Sequence, residues 1–448
     1  MKKIISAIMA MFLLSLPSNA GNIEKLLSKG HINTGAVSIS VKKMNSGDKV
    51  ISLNDKTPRN PASTLKIITT SASLEVLGED YKFITQMFKS TNNDLYIKLG
   101  ADPFLKSSDL KTLISAAKEK EIVPKNIYID NTIFDNTEWG EGWQWDDDLN
   151  PLMPKFSAFN LDNNLMGIEI TPKINNDAPT IAVKPYYPAA IMNLLITDYS
   201  GGNNIKLERN NNISPHIINA TGTIAKQTVL KVPVNNPKLY FNLRLEEAIR
   251  NRKFQYYNPI KIGQLPQKNI YSVEKIEHDI SEAVSAILKD SNNLVAETVY
   301  KLAGAKYTNS VGSIENSKAM LQAYFDKLGI NAEDTKIVDG SGVSKNNLMT
   351  ADFMTNFLLK LAKTDNFEDF KNSLPTSGEG TLKNRMLYFK DNLRAKTGTL
   401  SDTSAITGFI TTRKGDNYVF CIIIQDAKTS EVDKKNIEEQ ILRQIYMN

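Results

Sequence analysis

From Thr34 onward, apolar and polar positions alternate through Gly35-Ala36-Val37-Ser38-Ile39-Ser40-Val41, break at Asn45-Ser46-Gly47-Asp48, and resume at Val50-Ile51-Ser52-Leu53. The pattern predicts a strand, a turn and a second strand. Beyond Asn60-Pro61-Ala62 the period lengthens: Leu65, Ile68 and Ala72, with Leu74, Val76 and Leu77, mark the core face of a helix whose first turn holds Ser63. After Gly78 the character changes, with a strand expected over 95–99, a helix over 109–120 and a strand over 127–129. From 167 to about 261 the chain reads as strands separated by Asn-rich turns and prolines. A helical period returns from Tyr271, carried by Ile280, Val284, Ile287 and Leu288, then by Leu294, Val299 and Leu302. Strands are expected over 405–412 and around Cys421, and a last amphipathic helix through Ile437, Ile441 and Ile445.

The first twenty residues follow a different logic. Met1-Lys2-Lys3 is basic, residues 4–16 are apolar, and Ser18-Asn19-Ala20 puts small residues where a signal peptidase reads, so cleavage is expected after Ala20. The apolar run is too short for a stable anchor and no cysteine follows it to carry a lipid, so at most peripheral membrane association is expected. Losing Lys2 and Lys3 lowers the formal charge from +5 to +3. Basic residues are interspersed with acids, which argues against nucleic acid as a partner.

The single cysteine, Cys421, sits in an expected core strand, so no internal disulfide is available. His31, His216 and His278 have neither zinc-ligand spacing nor the makings of a Ser-His-Asp triad. A serine hydrolase built on this sequence must therefore use lysine as its base. Ser63 and Lys66 are three apart, on one face of a helix start. There a deprotonated ammonium can take the proton of an attacking serine, and free backbone N–H groups favour developing negative charge. The spacing alone is weak, since it recurs at Ser40/Lys43, Ser108/Lys111, Ser115/Lys118 and Ser272/Lys275.

Two further motifs give Ser63 its context. Ser291-Asn292-Asn293 falls in the break between two helical stretches, where serine and asparagine side chains can point into one cleft. Lys396-Thr397-Gly398 occurs once, on an expected strand, where the glycine lets a ligand approach the backbone. Trp139, Trp143 and Trp145, the only tryptophans, cluster beside Asp146-Asp147-Asp148; they form either a packed aromatic loop or a platform at a substrate groove.

Ser-x-x-Lys, Ser-x-Asn and Lys-Thr-Gly in that order are the motif set of penicillin-binding proteins and serine β-lactamases. The chain most resembles the class C low-molecular-mass penicillin-binding proteins of the penicillin-binding protein 4 type. Some 220 residues separate Lys66 from Ser291, as that family's insertion requires, and Gly100-Ala101-Asp102-Pro103, Gly142-Trp143-Gln144-Trp145, Ser291-Asn292-Asn293-Leu294-Val295-Ala296-Glu297, Asp339-Gly340-Ser341-Gly342 and Gly378-Glu379-Gly380-Thr381-Leu382 look similar too.

The resemblance implies an α/β (α+β) transpeptidase-like fold, a five-stranded antiparallel sheet flanked by helices with a large inserted β-rich region. A catalytic domain is expected over 21–78 and 271–448. The insertion is expected over 79–270, as two subdomains (79–166 plus 262–270, and 167–261).

It further implies a periplasmic D-alanyl-D-alanine carboxypeptidase or endopeptidase, acting on peptidoglycan stem peptides, inhibited by β-lactam antibiotics, and needing neither metal nor cofactor. Ser63 is then the nucleophile and Lys66 its base, with Ser291 and Lys396 relaying a proton to the leaving group. Asn293, Thr397 and Thr399 bind substrate, and the N–H groups of Ser63 and Thr399 form the oxyanion hole. Asp147 matches an acidic residue that binds the amine of the peptide's diamino acid, with Asp146 and Asp148 as neighbouring choices of register. Lys345 stands where the family often has arginine, keeping the charge without bidentate recognition. A serine β-lactamase and a non-catalytic penicillin-recognising sensor or scaffold are the alternatives.

Overall fold

The computed structural model describes residues 18–209, 214 and 217–447. The basic and apolar stretches of the expected leader, and His216, lie outside them. The chain divides into two compact units.

The first unit comprises the described parts of Met1–Leu65, Phe325–Ile337 and Asn346–Asn448. Its centre is a five-stranded sheet in the order Leu393–Thr399, Thr403–Thr411, Asn417–Gln425, Val37–Lys43, Lys49–Leu53. Every neighbouring pair is antiparallel. Alternation explains how both faces of the central strands are covered. Ile39, Ile406 and Ile422 join a buried cluster with Leu27 of the helix Ser18–Lys29 and with Ile437, Ile441 and Leu442 of the helix Glu431–Met447. Ser40 points the other way and shares a hydrogen bond of 2.8 Å with Thr355 on the helix Ala351–Leu361. Cys421 pairs with Ser40 in register and is buried. Burial pushes its thiol up to about 12, which leaves it an inert core residue. With no disulfide available, this unit depends on apolar burial, at about 1.5–3 kcal/mol per large aliphatic side chain.

The second unit comprises Lys66–Tyr324 and Val338–Lys345, and contains the whole of 79–270. One mixed five-stranded sheet runs in the order Lys261–Ile262, Ile127–Asp130, Leu95–Lys98, Lys82–Ser90, Ile270–Asp279. Two three-stranded sheets are built from segments between Leu165 and Pro233. The helix Ser107–Glu119 forms close to where periodicity predicts it.

Two expectations are corrected here. The run 167–261 is not all strand, because Pro237–Arg252 is a helix. Pro237 opens it and Asn236 caps it by accepting from the Leu239 N–H at 2.9 Å, so a proline read as a breaker is instead a first-turn residue. Tyr240, Phe241, Arg244, Leu245, Ala248 and Ile249 form its buried stripe. Helical character does not resume at Tyr271 either: Ile270–Asp279 is a strand paired with Lys82–Ser90, and the helix begins at Ile280.

Candidate active site

In the first unit, Ser63 lies in the 3-10 turn Ala62–Leu65, which runs directly into the helix Lys66–Leu77. The turn is fixed locally. Asn60 Oδ1 accepts from the Ala62 N–H at 2.8 Å, Thr64 Oγ1 donates to the Pro61 carbonyl at 2.6 Å, and Ala62 takes a left-handed φ of 47°. Ser63 itself is partly exposed while its neighbours are buried.

Lys396, Thr397 and Thr399 lie on the edge strand Leu393–Thr399, opposite Thr407, Ile406 and Ser404. Lys396 is fully buried and its Nζ donates to the Thr397 carbonyl at 2.8 Å; Thr397 Oγ1 donates to Thr381 Oγ1 at 2.8 Å, and Thr399 is exposed. Gly398 has a role that differs from the one its motif suggested. A Cβ there would stand 2.8 Å from both Ala62 Cβ and the Ser63 nitrogen, so the missing side chain lets the strand approach the nucleophile's own turn.

The second unit holds Lys66, Ser291, Asn293, Asp147 and Lys345. Lys66 is fully buried, and its Nζ donates at 2.6 Å to Asn293 Oδ1 and at 2.6 Å to the Ser341 carbonyl. Burial lowers its proton affinity to about 7, against the opposing pull of Asp339 and Glu297. A lysine at that value is substantially neutral near pH 7. It is therefore a competent base, which an ordinary surface lysine is not. Asn293 is the first residue of the helix Asn293–Thr308, capped by Asn292, whose Oδ1 accepts from the Val295 N–H at 3.1 Å. Ser291, just before the cap, is half-buried with a left-handed φ of 61°.

Three residues hold the Ser341 carbonyl in place, and two of them, Glu297 and Asp339, have no role expected from the sequence. Glu297, buried on the helix Asn293–Thr308, accepts from the Gly340 N–H at 3.0 Å and the Ser341 N–H at 2.8 Å. Burial, followed by the charge of Asp339, raises the Glu297 carboxyl. Asp339 accepts from the Gly342 N–H at 2.9 Å and the Ser344 N–H at 2.7 Å. Trp143 Nε1 donates to the same carboxylate at 2.9 Å. Their signals in the sequence are the family-like stretches Gly142-Trp143-Gln144-Trp145, Ser291-Asn292-Asn293-Leu294-Val295-Ala296-Glu297 and Asp339-Gly340-Ser341-Gly342.

Glu297→Ala is expected to remove the acceptor from two buried N–H groups and to cost about 2–4 kcal/mol of stability in urea unfolding. Glu297→Gln, which keeps one acceptor, should recover part of this. In both variants the pH midpoint for acylation should fall below that of the wild type, because a charge that sustains the Lys66 ammonium is gone.

The tryptophans divide between the two readings. Trp139 and Trp143 stack edge to face at 5.0 Å, and Trp143 packs with Met153, Phe156 and Leu294, whereas Trp145 is 72% exposed. The three adjacent aspartates separate as well. Asp148 is ion-paired with the buried Arg209, Asp146 is exposed, and Asp147 is half-buried at the end of the turn Trp145–Asp147. The Asp147 carboxyl is raised by burial and by Asp146, while Lys345 opposes the rise. Lys345 is itself exposed.

A family model described as the D-Ala-D-Ala carboxypeptidase 3 (S13) family matches residues 19–445. The chain is 27% identical to a D-alanyl-D-alanine carboxypeptidase of Actinomadura sp. (strain R39), over 85% of this chain and 76% of that one. It is 23% identical to the D-alanyl-D-alanine carboxypeptidase DacB of Haemophilus influenzae, over 97% and 96%. The crystal structure of penicillin binding protein 4 from Haemophilus influenzae has the same fold, with a TM-score of 0.83 at 22% identity, covering 95% of this chain and all of that one. With its motif set intact and a family model spanning nearly its whole length, the chain belongs to the D-Ala-D-Ala carboxypeptidase 3 (S13) family, a family of serine peptidases.

Proposed function

We propose that this enzyme hydrolyses the D-Ala-D-Ala bond of peptidoglycan stem peptides, or the D-Ala-diamino-acid crosslinks between them, through an acyl-enzyme on Ser63. The observation that carries the reading is Lys66, a buried lysine near neutrality one helical turn beyond a partly exposed serine. Ser63 Oγ attacks the carbonyl of the penultimate D-alanine as Lys66 Nζ takes its proton. The oxyanion is held by the N–H groups of Ser63 and Thr399, each worth roughly 3 kcal/mol in such a site. The C–N bond breaks, and the departing amine receives a proton through Ser291 and Lys396. Water then cleaves the Ser63 ester and regenerates the serine.

Asn293 orients the substrate amide, and Thr397 and Thr399 hold the terminal carboxylate. A β-lactam acylates the same oxygen by ring opening. The leader over 1–20 directs the enzyme to the periplasm; no helix among the described residues is long and apolar enough to cross a membrane. The catalytic domain spans 21–78 and 271–448 around an insertion of 79–270, itself two subdomains of 79–166 plus 262–270 and 167–261.

Incubation of the purified mature protein with a fluorescent penicillin, followed by mass spectrometry, tests the proposal. A stable adduct on Ser63, with D-alanine released from a pentapeptide, supports it. No adduct but rapid penicillin hydrolysis would indicate a β-lactamase, and neither outcome would indicate a scaffold.

Asp147 is assigned to the substrate's distal amine, because Asp148 is committed to Arg209 and Asp146 faces solvent. Asp147→Asn is expected to raise KM about tenfold for a peptide with a free side-chain amine, the scale of one charged hydrogen bond. It should leave penicillin acylation unchanged. Equal KM values for the free amine and its acetylated form in the wild type would exclude this role.

A further inference from the structure

We infer that a cavity in the second unit, built from none of the residues assigned to the Ser63 chemistry, is a binding site for an oxyanion-bearing ligand, a carboxylate or a phosphate. The cavity has a volume of 350 Å³, in the range of small-ligand pockets. Four cationic side chains, Lys111, Lys184, Lys231 and Arg244, line it with two carboxylates, Asp162 and Glu247. The carboxylates are already engaged. Asp162 accepts from the Ser107 N–H at 3.0 Å and the Tyr240 hydroxyl at 3.0 Å, and Glu247 pairs with Arg244 at 2.9 Å. Lys184 is paired with Glu169. Lys111 and Lys231 have no ion-pair partner among the described residues, so the unbalanced charge at this cavity is positive.

Arg244 is the second, independent observation. Its side chain is 4% exposed, on the buried stripe of the helix Pro237–Arg252, and it stacks 5.5 Å from the Tyr240 ring centroid. Nη1 reaches Glu247 and Nη2 donates to the Tyr186 carbonyl at 2.6 Å, but Nε has no hydrogen-bond partner. A buried guanidinium donor left unsatisfied is costly. Arg244 lines the cavity, so an oxyanion seated there adds a second counter-charge to this guanidinium, whose planar fork suits both carboxylate and phosphate. The volume admits more than a lone ion, which matches a short acidic peptide segment.

Calorimetric titration of the full mature protein tests this with two probes, inorganic phosphate and the dipeptide L-Ala-γ-D-Glu, which has no D-Ala-D-Ala bond for Ser63 to attack. The dipeptide with its carboxylates amidated serves as control. Arg244→Gln and, because Arg244 also supports Tyr186, a surface double variant Lys111→Glu/Lys231→Glu are titrated alongside. Binding weakened at least tenfold in both variants, with fluorescent-penicillin labelling of Ser63 unchanged in the double variant, supports the site. A dipeptide that binds and loses binding on amidation identifies a peptide carboxylate as the ligand, whereas binding of phosphate alone identifies a phosphate. Binding of neither probe to the wild type, or binding of equal strength in the wild type and both variants, overturns the inference whatever the outcome at Ser63.

Discussion

Ser63→Ala is expected to leave no covalent penicillin adduct and to reduce release of D-alanine to background, a loss on the order of 10⁵–10⁶ in kcat, as when the serine of another peptidase is removed. The substitution deletes one oxygen and keeps the Cβ. The turn should survive it, because Asn60, Thr64 and the left-handed Ala62 hold it. The approach of Gly398 to the Ser63 nitrogen is likewise a backbone feature. Thermal unfolding should therefore shift by no more than a few degrees, since changes away from packing and caps stay within about 0.5 kcal/mol. An alanine variant that still labels with fluorescent penicillin would remove Ser63 from the mechanism.

The parts of this molecule that could be read from sequence are those in which chemistry is local in the chain. The strands around Ile39 and Cys421 announce themselves by alternation or by an unbroken apolar run, and the structure uses them as central strands. Ser63 and Lys66 are three residues apart, so a helix start alone makes them neighbours in the chain. The network behind Lys66 was not legible, because its bonds join residues far apart: Glu297 to Gly340 and Ser341, and Trp143 to Asp339. Nothing in the spacing of these residues announces that a carboxylate on one element will cap a loop supplied by another.

The helix Pro237–Arg252 was missed for a different reason. Proline in the sequence signals punctuation, and Arg244 and Tyr240, which occupy its buried stripe, look polar in a hydropathy pattern. The strand Ile270–Asp279 was hidden by charge. Val273 is its only buried residue, and Glu274, Lys275 and Glu277 break the apolar alternation that marks an ordinary half-buried strand.

Lys66→Ala is expected to slow acylation by a factor of about 10³–10⁴, the upper range for loss of a positioned general base. It should also abolish the pH dependence the wild type shows near neutrality. Lys66 is depressed to about 7 chiefly by burial, so its neutral, proton-accepting form dominates above that pH and its ammonium form below. Wild-type acylation rates should accordingly rise with pH and level off above about 7. At pH 5, two units below the midpoint, the rate should be about one hundredth of the plateau, because only the unprotonated fraction reacts.

The opposite sign, a rate that falls as pH rises through 7, would mean that the ammonium form is the active one and that Lys66 acts as an electrostatic stabiliser. Removing this side chain also removes a buried cation whose desolvation opposes folding, while leaving Asn293 Oδ1 and the Ser341 carbonyl without their 2.6 Å partner. These effects oppose each other, so the variant should remain folded by circular dichroism. A stopped-flow series of penicillin acylation between pH 5 and 9, run on wild type and variant together, checks the magnitude and the sign in one experiment.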